Sequence, residues 1–401
     1  MAFKPLESVL IKPAGPDCNL GCTYCFYLEK EQLFTQTQTH RMSDEVLEML
    51  IKQVMQQSGQ SISINWQGGE PTLMGLEFYR KAMEYEKKYG FGKNVGNGLQ
   101  TNGLLLDERW ADFLNEYNWL VGLSLDGPEY IHNRYRLTPN SKPSHAIVEE
   151  KARMLLRKGV EVNAMCCITS YSSGYAEALY NYYKDLGISW MQFIPIVETD
   201  KDNPRKSAPF SLTAEQYGDF IVELFDLWKA DFVDGQPTTH IRDFDSVFYP
   251  YVGYEAPECT LRPECGVYTA VEHNGDVYSC DFFVEPKWKL GNIMEGDRLI
   301  DMLNSKKQTQ FGLMKTKLPR KCQVCHWKKY CYGGCTKDRI KDPRDNGMPR
   351  FCRSYITFFE HADPFLRELA GKWKVDQAKM DAQQQQQQSN SNTYNAFGDF
   401  S

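Results

Sequence analysis

From Leu6 to about Val197, short apolar runs alternate with longer amphipathic stretches. The runs SVLIKPA (8–14), SISINWQ (61–67), VGNGLQTNG (95–103), WLVGLSLDG (119–127), VEVNAMCCIT (160–169) and WMQFIPIV (190–197) have the length and composition of strands. The stretches between them read as helices. Ser43 before DEVLEMLIKQVMQQ and Asp107 before ERWADFLNEY carry side-chain oxygens suited to cap a helix N-terminus. Six strand-then-helix units in succession predict parallel strands with right-handed crossovers, and so an α/β fold built as a partial, TIM-like (β/α)6 barrel, open or closed. Chemistry in such barrels gathers at the C-terminal ends of the strands. A cysteine loop (18–25), QGGEP (67–71), QTNG (100–103) and SLDG (124–127) all fall at or just after such ends, so they are expected to face one cavity.

Beyond the sixth run the pattern changes. Residues 198–210 are polar and contain proline, as a connection would, and a helix is expected from about Leu212 to Phe232. After Pro250 come short strand-like pieces, many glycines and eight cysteines between Cys259 and Cys352, the pattern of a small unit held by metal rather than by a large core. Six consecutive glutamines from Gln383 and the polar residues after them predict a disordered tail. The expected division is 1–240, 241–370 and 371–401.

Charge and composition narrow the function classes. The formal net charge is −6, and no long Lys/Arg stripe is present, so a nucleic-acid partner is not expected. No run of 18 apolar residues predicts a membrane span, and the N-terminus lacks a signal-peptide pattern, which points to the cytoplasm. Thirteen cysteines are many for a protein there, where reducing conditions disfavour disulfides, and clustered ones more often bind metal or do chemistry.

Cys18, Cys22 and Cys25 form a C-x3-C-x2-C loop after the first strand. A structural zinc site needs four ligands, and the next candidate is His40. Three thiolates on a [4Fe-4S] cluster leave one iron open, able to chelate S-adenosylmethionine and inject the electron that splits it to a 5′-deoxyadenosyl radical. A zinc knuckle is the competing reading. With Tyr24 before the third cysteine, the loop resembles that of the radical S-adenosylmethionine (radical SAM) superfamily. Gly68 and Gly69 would let backbone approach the cofactor's methionine end. Tyr24, Gly69, Ser124, Arg136 and Val197 are the candidate cofactor contacts, and Gln67 and Gln100 the candidate substrate contacts. Capping, packing and surface roles compete for each. Cys166 and Cys167, in an apolar run, read as packing residues.

The C-terminal pattern C-x9-G-x4-C (265, 275, 280), C-x2-C-x5-C-x3-C (322, 325, 331, 335) and Cys352 resembles the SPASM extension of radical enzymes. That resemblance implies one auxiliary [4Fe-4S] cluster on Cys259, Cys265, Cys280 and Cys335, and another on Cys322, Cys325, Cys331 and Cys352, three clusters in all. A zinc ribbon competes here, and His326, adjacent to Cys325, is expected to face solvent.

Over residues 6 to about 360 the chain is similar to the anaerobic sulfatase-maturating enzymes, through CNLGCTYCFY, QGGEPT, LQTNG, VGLSLDGP, NGDVYSCDFF, KLGNI and the C-terminal cysteine block. The resemblance implies oxidation of a sulfatase Cys or Ser to Cα-formylglycine, a flavodoxin- or ferredoxin-like electron donor, and Asp281 as the catalytic base. A carboxylate beside Cys280 suits proton removal from the target, with the auxiliary cluster as electron acceptor. A turn-supporting role competes for Asp281. Two other functions stay open. One is a SPASM enzyme acting on a ribosomally made peptide, although Cys18 leaves no room for an N-terminal peptide-grasping domain. The other is a non-catalytic iron–sulfur carrier or zinc-binding module.

Overall fold

Alternation along β2 (Ser58–Trp66) sets the architecture: Ile62, Ile64 and Trp66 are buried, whereas Ser61, Ser63 and Asn65 are exposed. The apolar side packs beneath helices. The other side, with one side chain in two facing the opposite way, forms an open concave face. The computed structural model describes residues 3–203, 205–341 and 348–396. In it, β1 (Leu6–Lys12), β2, β3 (Asn94–Thr101), β4 (Leu120–Ser124), β5 (Glu161–Ile168) and β6 (Trp190–Pro195) pair in parallel in chain order. Register aligns Ser8 with Ser63, and Asn65 with Gly98, while Gln100 aligns with Gly122, and Gly122 with Asn163. Small and polar side chains therefore line the concave face, which leaves room for a ligand instead of a packed lumen.

A two-stranded ribbon follows, β7 (Phe232–Val233) with β8 (Gln236–Pro237), and β9 (His240–Ile241) pairs with β6. On the opposite edge, β10 (Thr269–Glu272) pairs in parallel with β1, and β11 (Asp276–Tyr278) and β12 (Lys289–Asn292) extend the sheet antiparallel. The order β12-β11-β10-β1-β2-β3-β4-β5-β6-β9 is an open barrel. The cysteine-rich segment thus shares the sheet, and Val271, Val277, Ile293 and Leu299 join the same apolar core as the barrel helices. The expectation of a unit with little core of its own overlooked this pairing.

The helix caps form as their side chains dictate. Ser43 Oγ accepts from Val46 N–H (3.3 Å) at the start of Asp44–Gln57, and Asp107 accepts from Trp110 N–H (3.1 Å) at the start of Glu108–Glu116. Leu47, Leu50, Ile51 and Val54 bury one face of the first helix in the core with Ile62 and Ile64. Full burial of such a side chain contributes about 1.5–3 kcal/mol. The expected helix near 212–232 is Ala214–Ala230, closed by a Thr213–Gln216 capping box.

Helix Cys352–Ala396 runs through the glutamine stretch, and only residues 397–401 of the expected disordered tail lie outside the described residues. No Gly or Pro interrupts the chain between Gly371 and Ala396; Ala, Lys, Gln and Met there are good helix formers. Pairs four residues apart, Glu368–Lys372 and Gln377–Asp381, add support.

Candidate active site

The cysteine loop leaves β1 and is held from two sides by main-chain hydrogen bonds. Gly69 and Glu70 donate to the carbonyls of Gly15 (2.8 Å) and Asp17 (2.7 Å), while Gly21 and Thr23 donate to those of Leu137 (2.8 Å) and Tyr135 (3.2 Å). A Cβ on Gly69 would lie 2.0 Å from the Asp17 carbonyl oxygen. The glycine is thus required for close approach of backbone to backbone. Glu70, fully buried, accepts from Thr72 N–H, from the Thr101 hydroxyl (2.7 Å) and from Asn102 N–H (2.8 Å), so it ties the ends of β2 and β3 together. Asn102 Nδ2 in turn donates to Asn19 Oδ1 (2.7 Å), within the cysteine loop. The GGEP and QTNG segments are visible in the sequence, but not that the glutamate of the first bonds to the second.

Asp126, in the SLDG segment, is the second junction that the reading missed. Buried, it accepts from the Tyr24 hydroxyl and from Cys167 N–H (2.9 Å), and it forms a 2.9 Å ion pair with Arg136. The Arg136 guanidinium also lies 5.5 Å from the Tyr24 ring centroid and donates to Cys167 Sγ at 3.6 Å. Tyr24 and Arg136 are therefore together. Gln100 Nε2 donates to Ser124 Oγ (2.9 Å), which joins two further candidates on adjacent strands. Gln67 follows β2, its N–H bonded to Ile11 O (2.8 Å). Val197 is buried in the core just past β6, its carbonyl accepting from Lys337 Nζ (2.6 Å). Cys166 packs as expected. Cys167 does not, because it lies on the open face beside Arg136.

His40 uses both ring nitrogens, Nδ1 with Asp17 (2.6 Å) and Nε2 with the Phe34 carbonyl (2.8 Å), so it buttresses the loop and has no lone pair to spare for a metal. His326 is exposed.

The cysteines gather in three groups. Cys18, Cys22 and Cys25 lie within one another's electrostatic reach. Cys259, Cys265, Cys280 and Cys335 form a second such group. Cys322, Cys325, Cys331 and Cys352 border one small cavity with Trp327 and Tyr355. Burial pushes the thiols of Cys18, Cys22 and Cys259 up to about 12 and that of Cys331 to about 11. Thiols so placed are inert as nucleophiles and ionise when a cation binds. All-sulfur donor sets of this kind fit iron–sulfur clusters. Among the described residues, no three His, Cys, Asp or Glu side chains converge on a point suited to a single metal ion.

Asp281 lies at the turn after β11, 9% exposed, with Oδ1 accepting from the Tyr268 hydroxyl (2.7 Å) and from the Cys280 thiol (3.3 Å). The aromatic residues that follow Cys25 and Asp281, Phe26 and Phe282, touch at 4.6 Å between centroids. This contact joins the first cysteine loop to the Asp281 turn. A groove lined by Phe26, Lys30, Phe282, Glu285 and Lys337 opens beside it. A larger depression around Glu7, Ser63, Lys93 and Gly96 lies at the opposite ends of the strands, away from these groups.

The radical SAM superfamily model matches residues 13–181, and the SPASM model, an iron-sulfur cluster-binding domain, matches residues 264–326. Fold, cysteine loop and extension together define a radical SAM oxidoreductase with an auxiliary cysteine region. The chain is 39% identical over 380 residues to the serine-type anaerobic sulfatase-maturating enzyme of Bacteroides thetaiotaomicron, covering 90% of this chain and 91% of that one. It is 38% identical to the cysteine-type enzyme of Clostridium perfringens strain 13, covering 92% and 100%. The solved structure of native anSMEcpe with bound AdoMet and Cp18Cys peptide superposes with a TM-score of 0.83 at 36% identity, covering 92% of this chain and 99% of that one. The chain belongs to the anaerobic sulfatase-maturating enzyme family. Streptococcus suis SuiB bound to its precursor peptide SuiA, at 15% identity and a TM-score of 0.60, covers 88% of this chain and 76% of that one and shares the fold alone.

Proposed function

We propose that this chain oxidises a cysteine or serine of a sulfatase polypeptide to Cα-formylglycine. The observation that carries the reading is the Phe26–Phe282 contact, which sets a loop of three thiols beside a buried carboxylate at one end of the barrel. The relatives named above include serine-type and cysteine-type enzymes at nearly equal identity, and a solved relative holds a peptide and AdoMet.

In this reading Cys18, Cys22 and Cys25 hold a [4Fe-4S] cluster. Cys259, Cys265, Cys280 and Cys335 hold a second, and Cys322, Cys325, Cys331 and Cys352 a third. When bound, the first cluster and S-adenosylmethionine supply the radical that removes a hydrogen atom from the target's Cβ. Asp126 fixes Tyr24 and Arg136 on the cofactor's side, where Gly69, Ser124 and Val197 complete the contacts. Gln67 and Gln100 face the polypeptide. Asp281 takes the thiol or hydroxyl proton, oriented by the Tyr268 hydroxyl on Oδ1. The remaining electron would pass to an auxiliary cluster held by the C-terminal cysteines, which leaves the aldehyde from serine, or from cysteine a thioaldehyde that water hydrolyses with release of sulfide. A flavodoxin- or ferredoxin-like donor supplies electrons. No helix among the described residues is long and apolar enough to cross a membrane, and a reducing cytoplasm suits thirteen cysteines without a disulfide. The working division is a barrel over 1–240 and a cluster-binding region over 241–370.

The test is Asp281→Asn in anaerobically reconstituted enzyme given S-adenosylmethionine, dithionite and a sulfatase-motif peptide. The variant is expected to form 5′-deoxyadenosine while formylglycine, read by mass spectrometry, falls roughly 100-fold or more. Normal turnover by the variant overturns the base assignment. Absence of peptide oxidation by the parent protein overturns the function.

A further inference from the structure

β1 ends in Lys12, which is in register with Glu272 of β10 and lies on the concave side of the sheet. Only 1% of it is exposed. A buried amine normally finds an acceptor or a carboxylate at hydrogen-bond distance. Lys12 Nζ has none among the described residues. Its close contacts are the faces of Tyr27, 3.5 Å from the ring centroid, and Phe26, at 5.8 Å. The charged groups acting on it are Glu272, Asp281, Cys280 and Cys25, in that order. Glu272 is itself fully buried. One of its oxygens is occupied by the Tyr27 hydroxyl (2.5 Å), and the other has no hydrogen-bond partner and lies 3.8 Å from His273 Nδ1. Lys12 therefore stands between the end of the first cysteine loop and the Cys280–Asp281 turn. Nothing derived above uses it.

We infer that Lys12 is a substrate-binding residue, whose Nζ donates a hydrogen bond to the side-chain sulfur or oxygen of the target cysteine or serine. The inference rests on the proposed oxidation and adds to it a subsite for the reacting heteroatom. Tyr268 occupies Asp281 Oδ1 and leaves Oδ2 without a partner among the described residues. When that carboxylate takes the S–H or O–H proton, the electron pair stays on the heteroatom, which gains negative charge. A donor already aimed at this atom in a buried site stabilises that charge without reorganisation. No bond of Lys12 is broken. The amine keeps N–H donors whether or not it is protonated, so the role does not depend on its charge. The competing account is that Lys12 only offsets the charge of Glu272.

The test compares holoenzyme binding of two sulfatase-motif peptides, one with the target Cys and one with Ala there, by anaerobic calorimetry with S-adenosylmethionine present. The parent protein is expected to bind the Cys peptide roughly tenfold tighter. Lys12→Met is expected to remove that preference and lower kcat for formylglycine, while keeping its iron content and its 5′-deoxyadenosine formation. Lys12→Arg, which retains a donor, should keep part of the preference. Equal binding of both peptides by the parent protein overturns the subsite, and this arm needs no variant. The subsite also falls if K12M keeps the preference, or if K12R shows none. Recovery of parental kcat in K12M/E272Q means that Lys12 serves Glu272 alone. Failure of the parent protein to form formylglycine, with peptide discrimination intact, would instead remove the oxidation and leave the subsite.

Discussion

Asp126→Ala is the most informative single change at the site. The carboxylate is buried and serves Tyr24, Arg136 and the Cys167 amide at once. Its removal leaves Arg136, 7% exposed, as an unpaired buried cation, which costs about 3–5 kcal/mol. Losses at Tyr24 and Cys167 belong to the same network and do not add independently. Globular proteins unfold with an entropy of about 2 cal/mol/K per residue, so the whole chain changes by about 0.8 kcal/mol per degree. The midpoint of the anaerobically reconstituted enzyme should therefore fall by about 4–6 °C in differential scanning fluorimetry. Asp126→Ala/Arg136→Met removes the orphaned charge as well and should regain most of that loss, because apolar replacement of a buried pair is close to neutral. On the cofactor role proposed for Arg136, the double variant should nevertheless bind S-adenosylmethionine poorly. A drop below 1 °C for the single variant, or a double variant less stable than the single, would refute the electrostatic reasoning.

Glu86 supplies a pH-dependent counterpart far from the cysteines. Asn97 Nδ2 reaches both of its oxygens (3.1 and 3.0 Å), and burial raises its carboxyl to about 7. The folded state then holds the proton more tightly than the unfolded chain, so stability falls as pH rises from about 4.5 to 7 and is flat above, by up to about 3 kcal/mol. Glu86→Gln should match the parent near pH 4.5 and exceed its melting temperature at pH 8; equal midpoints at pH 8 would count against it. Gly69→Ala drives a Cβ into the Asp17 carbonyl, so iron analysis should show the loss of one cluster and S-adenosylmethionine cleavage should cease. Full iron and activity would show that the loop tolerates the shift.

All six strands of the barrel were legible because each is short, apolar on one side and bounded by turn residues, as in β2, where Ile62, Ile64 and Trp66 alternate with Ser and Asn. The caps at Ser43 and Asp107 were legible because capping is local. Asp126, Glu70 and Lys12 were not, because their significance lies in partners distant in sequence: Arg136 and Cys167, Thr101 and Asn102, and the turn around Asp281. An isolated charged residue at a strand end gives no sign of which distant backbone it will meet. The addition of β10 to β1 was hidden for the same reason, since TAVE is too short for its pairing to be read locally.

That β10–β1 pairing has a practical consequence. A chain ended near residue 240 would keep every strand of the barrel proper yet strip Val9 to Lys12 of one row of main-chain partners, which leaves an apolar ribbon free to recruit its own copies. Such a fragment should precipitate unless refolded with the missing piece. The spacing between the two cysteine-bearing loops is likewise fixed by a ladder of amides, since one loop leaves β1 and the other leaves β11 two strands away.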